Sequence, residues 1–427
     1  MVASVAVGLA TLACSSTAAT TGAASSAGTT TPAAAPGAPS STPGTAGAAG
    51  TTAQGGAASP TAVTTTGSLY AVPDPIPDSP HGTLLKYQEV TPSSVDGART
   101  YRIMYSSQSV AGRPIVVTGV ALVPLVAAPA DGRVTLTIAH GTTGVADECA
   151  PSKEAQGLEI AGMGPVAKQG WLVALTDYEG LGTPGRHPYL VGESEGRSVI
   201  DAALAVRSLP GADAGDKLAI AGYSQGGHGA LWAGQVAPEW APDLKVVGTF
   251  AGAPATENDV ILKAAARLPI NGFSFMMVAG YQAAYPDADP AKVLTPAGLA
   301  KLDAVDTGCT AEVFKATAGD PGELFRTDGT DNPPWSTLMA ENNPGNTRVD
   351  SPVLIIHSDD DSTVPIGLSA ALFARMCKNG QVVERRVLEK AGGHIGAAVP
   401  AYVAGIAWLQ DRVAGKAPVN GCTAAPG

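Results

Sequence analysis

No Asp, Glu, Lys or Arg precedes Asp74, and between the opening residues and about Thr66 large apolar side chains are almost absent. A segment such as "TTTPAAAPGAPSSTPGTAGAAGTTAQGG" has too little apolar surface to offset its ordering entropy, so it reads as a tether. Charge is scarce along the whole chain: 15% of 427 residues, with a net charge of −11. That acidic balance gives no electrostatic footing for nucleic acid and none for a polybasic membrane-surface patch. Cysteine is also sparse, at five, and no CxxC or Cys/His spacing suggests a metal site, so neither a metal nor an organic cofactor is expected.

The opening "MVASVAVGLATLACSS" is a short apolar run, fitting a signal-peptide core better than a membrane span. It has no basic residue in front, which implies a start further upstream or weakly specified export. Cys14, directly after the run and before the tether, resembles a bacterial lipoprotein processing site, so membrane attachment through a lipidated Cys14 stands beside plain secretion as an expectation. The remaining Cys149, Cys309, Cys377 and Cys422 are an even number in an exported chain, which suggests two disulfides with three pairings open.

From about Gly82 the pattern changes. "YRIMYSS" and "PIVVTGVALVP" read as an antiparallel hairpin. "RVTLTIAH", "WLVALTD", "KLAIAGY", "KVVGTFAG" and "PVLIIHS" then read as strands buried on both faces. Helical stretches over 194–209, 224–236 and 366–378 alternate with them, which implies a mostly parallel sheet flanked by helices. Residues 254–346 contain no buried-strand run and are too long for a connection, so they read as an inserted, mainly helical cap. The division expected is a leader at 1–14, a tether at 15–72, a core at 73–253 and 347–427, and the cap at 254–346.

Two stretches spell Gly-x-Ser-x-Gly: "GESEG" at Gly192 and "GYSQGG" at Gly222. Ser224 follows an apolar strand and opens a helical pattern, the strand–turn–helix setting of a nucleophile elbow. Ser194 follows the loop "TPGRHPYLV", and Glu193 and Glu195 beside it suit the positive end of a helix. Ser224 is therefore the expected nucleophile, and Ser194 a helix N-cap.

A serine needs a base to take its proton and an acid to orient that base. Of six histidines, His81, His140 and His187 precede Ser224, His228 lies on its helix and His357 ends a strand before the nearest acids. That leaves His394, in the Gly-flanked loop "AGGHIGA" ahead of the last helix. The acid is expected just past "PVLIIHS", where Asp359, Asp360 and Asp361 stand together and the residues alone do not choose among them. An oxyanion hole is expected from the Gln225 N–H and from "HGTTG", with Thr142 or Thr143 adding a hydroxyl.

Taken together, "HGTTG", "CAPS" at Cys149, "DYEGLG" at Asp177, "GYSQGG", "WAPDLKVVGTFAGAP", the HxxxDxxVP pattern from His357 and "GHIGA" resemble the secretory lipase family of α/β-hydrolases. The resemblance runs from about Gly82 to Cys422. It implies Ser224 as nucleophile, His394 as base and Asp361 as acid, with Thr142, Thr143 and Gln225 at the oxyanion hole. It implies the disulfides Cys149–Cys309 and Cys377–Cys422. It also implies hydrolysis of carboxylic esters, with acyl chains under the cap near Phe273, Phe275, Met276 and Met277, where core packing is the competing role. Two departures stand out: Ser358 replaces the usual Gly, and the yeast members carry a longer C-terminal flap than the few residues after Cys422.

The reading is thus an exported serine lipase or esterase acting on lipid or small ester substrates through an acyl-enzyme, with oligomeric state left open. A serine peptidase or acyltransferase on the same triad is the enzymatic alternative. A non-catalytic surface lipoprotein is the alternative from another class.

Overall fold

The computed structural model describes residues 59–423 except 92, 155–157, 266 and 269. The leader, Cys14 and most of the tether lie outside the described residues. The tether was expected to reach residue 72, but the chain already belongs to the fold at β1 (Thr61–Ala62), which pairs with β2 (Leu84–Val90). The cause is local: the short helix Thr66–Tyr70 brings Leu69 into a fully buried cluster with Met104 and Val116.

Ten strands form one sheet in the order β1-β2-β3-β4-β6-β5-β7-β8-β9-β10. The hairpin of β3 (Ala98–Gln108) and β4 (Pro114–Pro124) is antiparallel, as the sequence predicts. From β6 (Leu172–Thr176) through β5 (Arg133–Ala139), β7 (Ala214–Tyr223), β8 (Lys245–Gly252), β9 (Val353–Ser358) and β10 (Val383–Leu388), neighbouring strands are parallel. Their side chains fill the space under helices on both faces: Ile138, Ala221, Phe250 and Ile356 share one buried cluster with Trp408 and Leu409 of helix Gly393–Val413. Leu218 and Ile220 belong instead to a cluster with Val199, Ala230 and Ala233, from helices Gly192–Ala205 and Gln225–Trp240.

Those two helices touch because one of them carries glycine on its contact face. Gly192 and Gly196 lie four residues apart, hence on one side of the helix. A Cβ on Gly192 would fall 1.9 Å from the Trp232 indole, and one on Gly196 2.8 Å from the Trp232 carbonyl carbon. The expected N-cap role of Ser194 is corrected here. The helix starts at Gly192 behind an N-cap at Val191, and the Ser194 hydroxyl donates to Glu179 at 2.6 Å.

Between β8 and β9 the chain is helical, with its longest piece at Asn271–Ala284. This segment has its own apolar interior, in which Phe275, Met276, Tyr281 and Trp335 are fully buried. Disulfide Cys149–Cys309 ties it to the loop after β5, and Cys377–Cys422 ties the C-terminal residues to helix Ile366–Lys378.

Candidate active site

At the end of β7 the chain reverses into helix Gln225–Trp240 through Ser224, which holds φ 60° and ψ −122°. A non-glycine residue at positive φ is strained and persists only where its surroundings fix it. Here they do so by contact: a Cβ on Gly222 would meet the Gly226 carbonyl oxygen at 2.0 Å, and one on Gly226 the Ala139 oxygen at 2.0 Å. The serine is thereby held at the carboxyl edge of the sheet with its hydroxyl clear of the helix. Gln225 is the first residue of that helix, so its N–H has no intrahelical acceptor.

Ser224 Oγ lies 2.9 Å from His394 Nε2, and His394 Nδ1 lies 2.6 Å from Asp361 Oδ2. With Nδ1–H donated to the carboxylate, Nε2 is free to accept the serine proton. Asp361 Oδ1 accepts the N–H groups of Thr363 and Val364 at 2.9 and 2.8 Å. Burial alone would raise the Asp361 carboxyl, but hydrogen bonds from His357 and His394 hold it well below the usual carboxylate range. The neighbouring acids face elsewhere: Asp359 accepts from Lys390 N–H, and Asp360 from Gly392 N–H and the Ser358 hydroxyl. His394 was expected on a loop and instead occupies the first turn of helix Gly393–Val413, after Gly392 and Gly393 at φ 89° and 69°.

The other histidines have partners of their own, and His357 shares Asp361 with His394. His357 Nε2 sits 2.9 Å from Val364 O and 3.2 Å from Asp361 Oδ2. His81 pairs with Asp201 at 2.6 Å. His228 Nδ1 lies 2.6 Å from Glu195 Oε2, both side chains being fully buried. Glu195 Oε1 accepts from Leu190 N–H and from the Gln225 amide, which also donates to His187. Burial pushes the His187 imidazole down to about 4, so it stays neutral and accepts that bond.

Ser224 and His394 open into a cavity of about 800 Å³. Thr142 and Thr143 line it, as do Phe273 and the disulfide partners Cys149 and Cys309. The Thr142 hydroxyl shares a 2.8 Å hydrogen bond with the Tyr189 hydroxyl. Thr143 Oγ1 is buried with no partner among the described residues, while its carbonyl accepts the Thr310 N–H at 3.0 Å. Three of the four expected acyl contacts are corrected: Phe275, Met276 and Met277 are fully buried in the interior of the helical segment and do not line the cavity. Helix Asn271–Ala284 is buried on nearly all sides, and of the four Phe273 alone reaches the cavity, packed edge-on against Phe314 with ring centroids 4.8 Å apart. Sequence reasoning missed Phe314, Tyr223 and Glu159 on this wall. Tyr223, inside the elbow motif itself, was the one with a signal, and its hydroxyl donates to the His394 carbonyl at 2.7 Å.

A parallel sheet with a strained serine elbow, followed in the chain by an acid beyond a later strand and a histidine, defines the α/β-hydrolase class. Within that class, residues 152–421 match the secretory lipase family, and the chain belongs to it. It is 26% identical over 292 residues to Lipase 6 of Candida albicans, spanning 62% of this chain and 60% of that relative. It is 25% identical over 381 residues to a secreted triacylglycerol lipase of Malassezia globosa, spanning 82% and 81%. Among solved structures, Candida antarctica lipase A in its closed state superposes with a TM-score of 0.71 at 20% identity, covering 84% of this chain and 88% of that one. The rice cell wall degrading esterase LipA from Xanthomonas oryzae gives 0.64 at 21% identity, covering 79% and 98%. Those two likenesses are of fold.

Proposed function

We propose that the protein is an exported serine hydrolase that cleaves carboxylic esters. Ser224 attacks the ester carbonyl, and His394 takes its proton and returns it to the leaving alcohol. Asp361 remains ionised and holds the imidazole. The Gln225 N–H and the Thr142–Thr143 loop receive the oxyanion, and water then releases the acid from the Ser224 ester. The observation that carries this reading is the Asp361–His394–Ser224 relay at 2.6 and 2.9 Å, opening into a large cavity walled in part by Phe273 and Phe314. The Phe273 and Phe314 side of the cavity suits the acyl part of a lipid ester, and Glu148, Glu154, Glu159 and Glu312 elsewhere on its lining disfavour an anionic substrate.

Family membership supports ester hydrolysis, and a relative named as a secreted triacylglycerol lipase points to acylglycerols as the substrate class. The same name supports export, which agrees with two disulfides that persist only in an oxidising compartment. The test is hydrolysis of p-nitrophenyl butyrate and tributyrin together with fluorophosphonate labelling. The native chain is expected to be active and labelled, and Ser224→Ala to lose both. Retained hydrolysis in Ser224→Ala would sink the assignment, and activity confined to peptide amides would sink the substrate class.

A further inference from the structure

A second, mostly apolar cavity of about 380 Å³ lies between helix Gly393–Val413 and the segment just after residue 158. Met163, Pro165 and Val166 form one wall, and Val399, Val403 and Ile406 form the other. Glu159 is the one charged residue lining it among the described residues, and its Oε1 is already taken by the Gly141 N–H at 3.1 Å.

Two observations connect this groove to the active-site cavity. Glu159, Ala398 and Tyr402 line both, so the two spaces lie on either side of one shared wall. In addition, helix Gly393–Val413 carries exposed apolar residues at Ile395, Val399 and Val403, with 78%, 58% and 67% of their surface open. At a spacing of four they lie along one face of the helix. Ile395 borders the active-site cavity, while Val399 and Val403 border the groove. Apolar surface thus runs continuously from beside His394 along the helix. Gln410, a polar residue, also lines the groove, and its amide donates to Gln169 at 2.8 Å. From Ile395 to Gln410 is about 22 Å along the helix axis, at ~1.5 Å per residue.

We infer that this groove is a substrate subsite that holds the long alkyl chain of the ester while its carbonyl sits at Ser224. The inference rests on the ester-hydrolase reading and adds to it a place for the chain distinct from the wall of Phe273 and Phe314. An alkyl chain is the occupant the walls select, because the lining offers apolar contact along its length and its only carboxylate is already hydrogen-bonded. The chain's source is the acyl group or the alcohol, since both are attached to the same carbonyl carbon.

The test compares chain-length preference in the native protein, Val403→Trp and Val399→Trp. Both positions are exposed on the helix, so an indole narrows the groove without entering the core. Measured as kcat/KM, the ratio of p-nitrophenyl laurate to p-nitrophenyl butyrate is expected to fall at least about tenfold in each variant, the scale of lost apolar pocket contacts. A parallel arm compares hexadecyl acetate with butyl acetate. A fall confined to the first arm assigns the groove to the acyl chain, and one confined to the second assigns it to the alcohol chain. Ratios unchanged in both arms, with the variants folded by circular dichroism, would overturn the inference. So would variants that lose nothing on dispersed esters but gain on emulsions, because tryptophan strengthens contact with a lipid surface and that face would then dock on lipid. Failure of the hydrolase reading looks different, since no Ser224-dependent hydrolysis of either ester would be seen even in the native chain.

Discussion

Asp361 Oδ2 carries two imidazoles, His394 at 2.6 Å and His357 at 3.2 Å. His357 Nδ1 is buried without a partner among the described residues, so the ring holds its proton on Nε2 and shares it between Val364 O and the carboxylate. This second donor helps to keep Asp361 ionised. Replacing it as His357→Phe is expected to lower kcat/KM by about tenfold, the value of roughly one hydrogen bond to a charged group. Asp361→Asn should cost about 10³ to 10⁴, through loss of imidazole orientation. The Asp361 carboxyl is depressed in the folded protein. Its contribution to stability is therefore present above the unfolded carboxyl value and is lost as pH falls through the folded one. In His357→Phe the folded value is less depressed, so less of that contribution is present and it is exhausted at higher pH; acid-unfolding midpoints should rise. An unchanged midpoint and unchanged kinetics would rule the role out.

His187 gives a pH effect of the opposite origin. Its folded value, about 4, lies below the ordinary 6.5 because of burial. As pH falls from 6.5 to 4 the unfolded chain takes up a proton that the folded chain refuses, so stability declines across that window by up to about 3 kcal/mol. Urea midpoints at pH 7.5 and 4.5 should diverge less in His187→Gln than in the native chain. Equal divergence would mean that His187 is not the group responsible.

Glu195 is a buried carboxylate whose partners are His228, the Gln225 amide and the Leu190 N–H. Glu195→Leu removes an acceptor from all three, although the Gln225 amide keeps His187 and the His228 Nε2 keeps the Asn342 carbonyl. A loss of about 3–5 kcal/mol in unfolding free energy is expected, as for one half of a buried pair. Denaturant titration checks this, and a change under about 1 kcal/mol would contradict it.

The two disulfides should differ in weight. Cys149–Cys309 closes 160 residues and Cys377–Cys422 closes 45. On loop entropy alone the longer closure is worth about 1 kcal/mol more. Cys309→Ser also frees the end of helix Thr310–Ala316 beside the Thr142–Thr143 loop, so it should lower ester turnover, whereas Cys422→Ser should mainly lower the melting temperature. Comparing turnover and melting temperature in the two variants separates these effects.

The sequence made the sheet's central strands legible because strands buried on both faces are continuous apolar runs. β10 escaped notice: "VERRVL" carries three charged residues, which an edge strand tolerates. β2 was equally hidden, since "LLKYQEV" mixes apolar and polar residues along an antiparallel margin. Ser224 could be found from its strand-and-helix setting, and His394 by elimination. Asp361 could not be separated from Asp359 and Asp360 by composition, because the difference lies in which backbone N–H groups each carboxylate meets. Residues such as Glu159 and Phe314 gave no signal, since their role depends on segments brought together from distant parts of the chain.

Gly192 and Gly196 face Trp232, whose indole N–H donates to the Asn342 carbonyl at 3.1 Å. The five-letter spelling that marks a nucleophile elbow is thus used a second time, as a flat strip on which a neighbouring helix lies. Both uses demand two glycines around a small polar residue, one for a sharp reversal of the chain and the other for contact between backbones. A search by pattern alone will therefore return this chain with a decoy of its own active site, one helix away from the serine that faces the cavity.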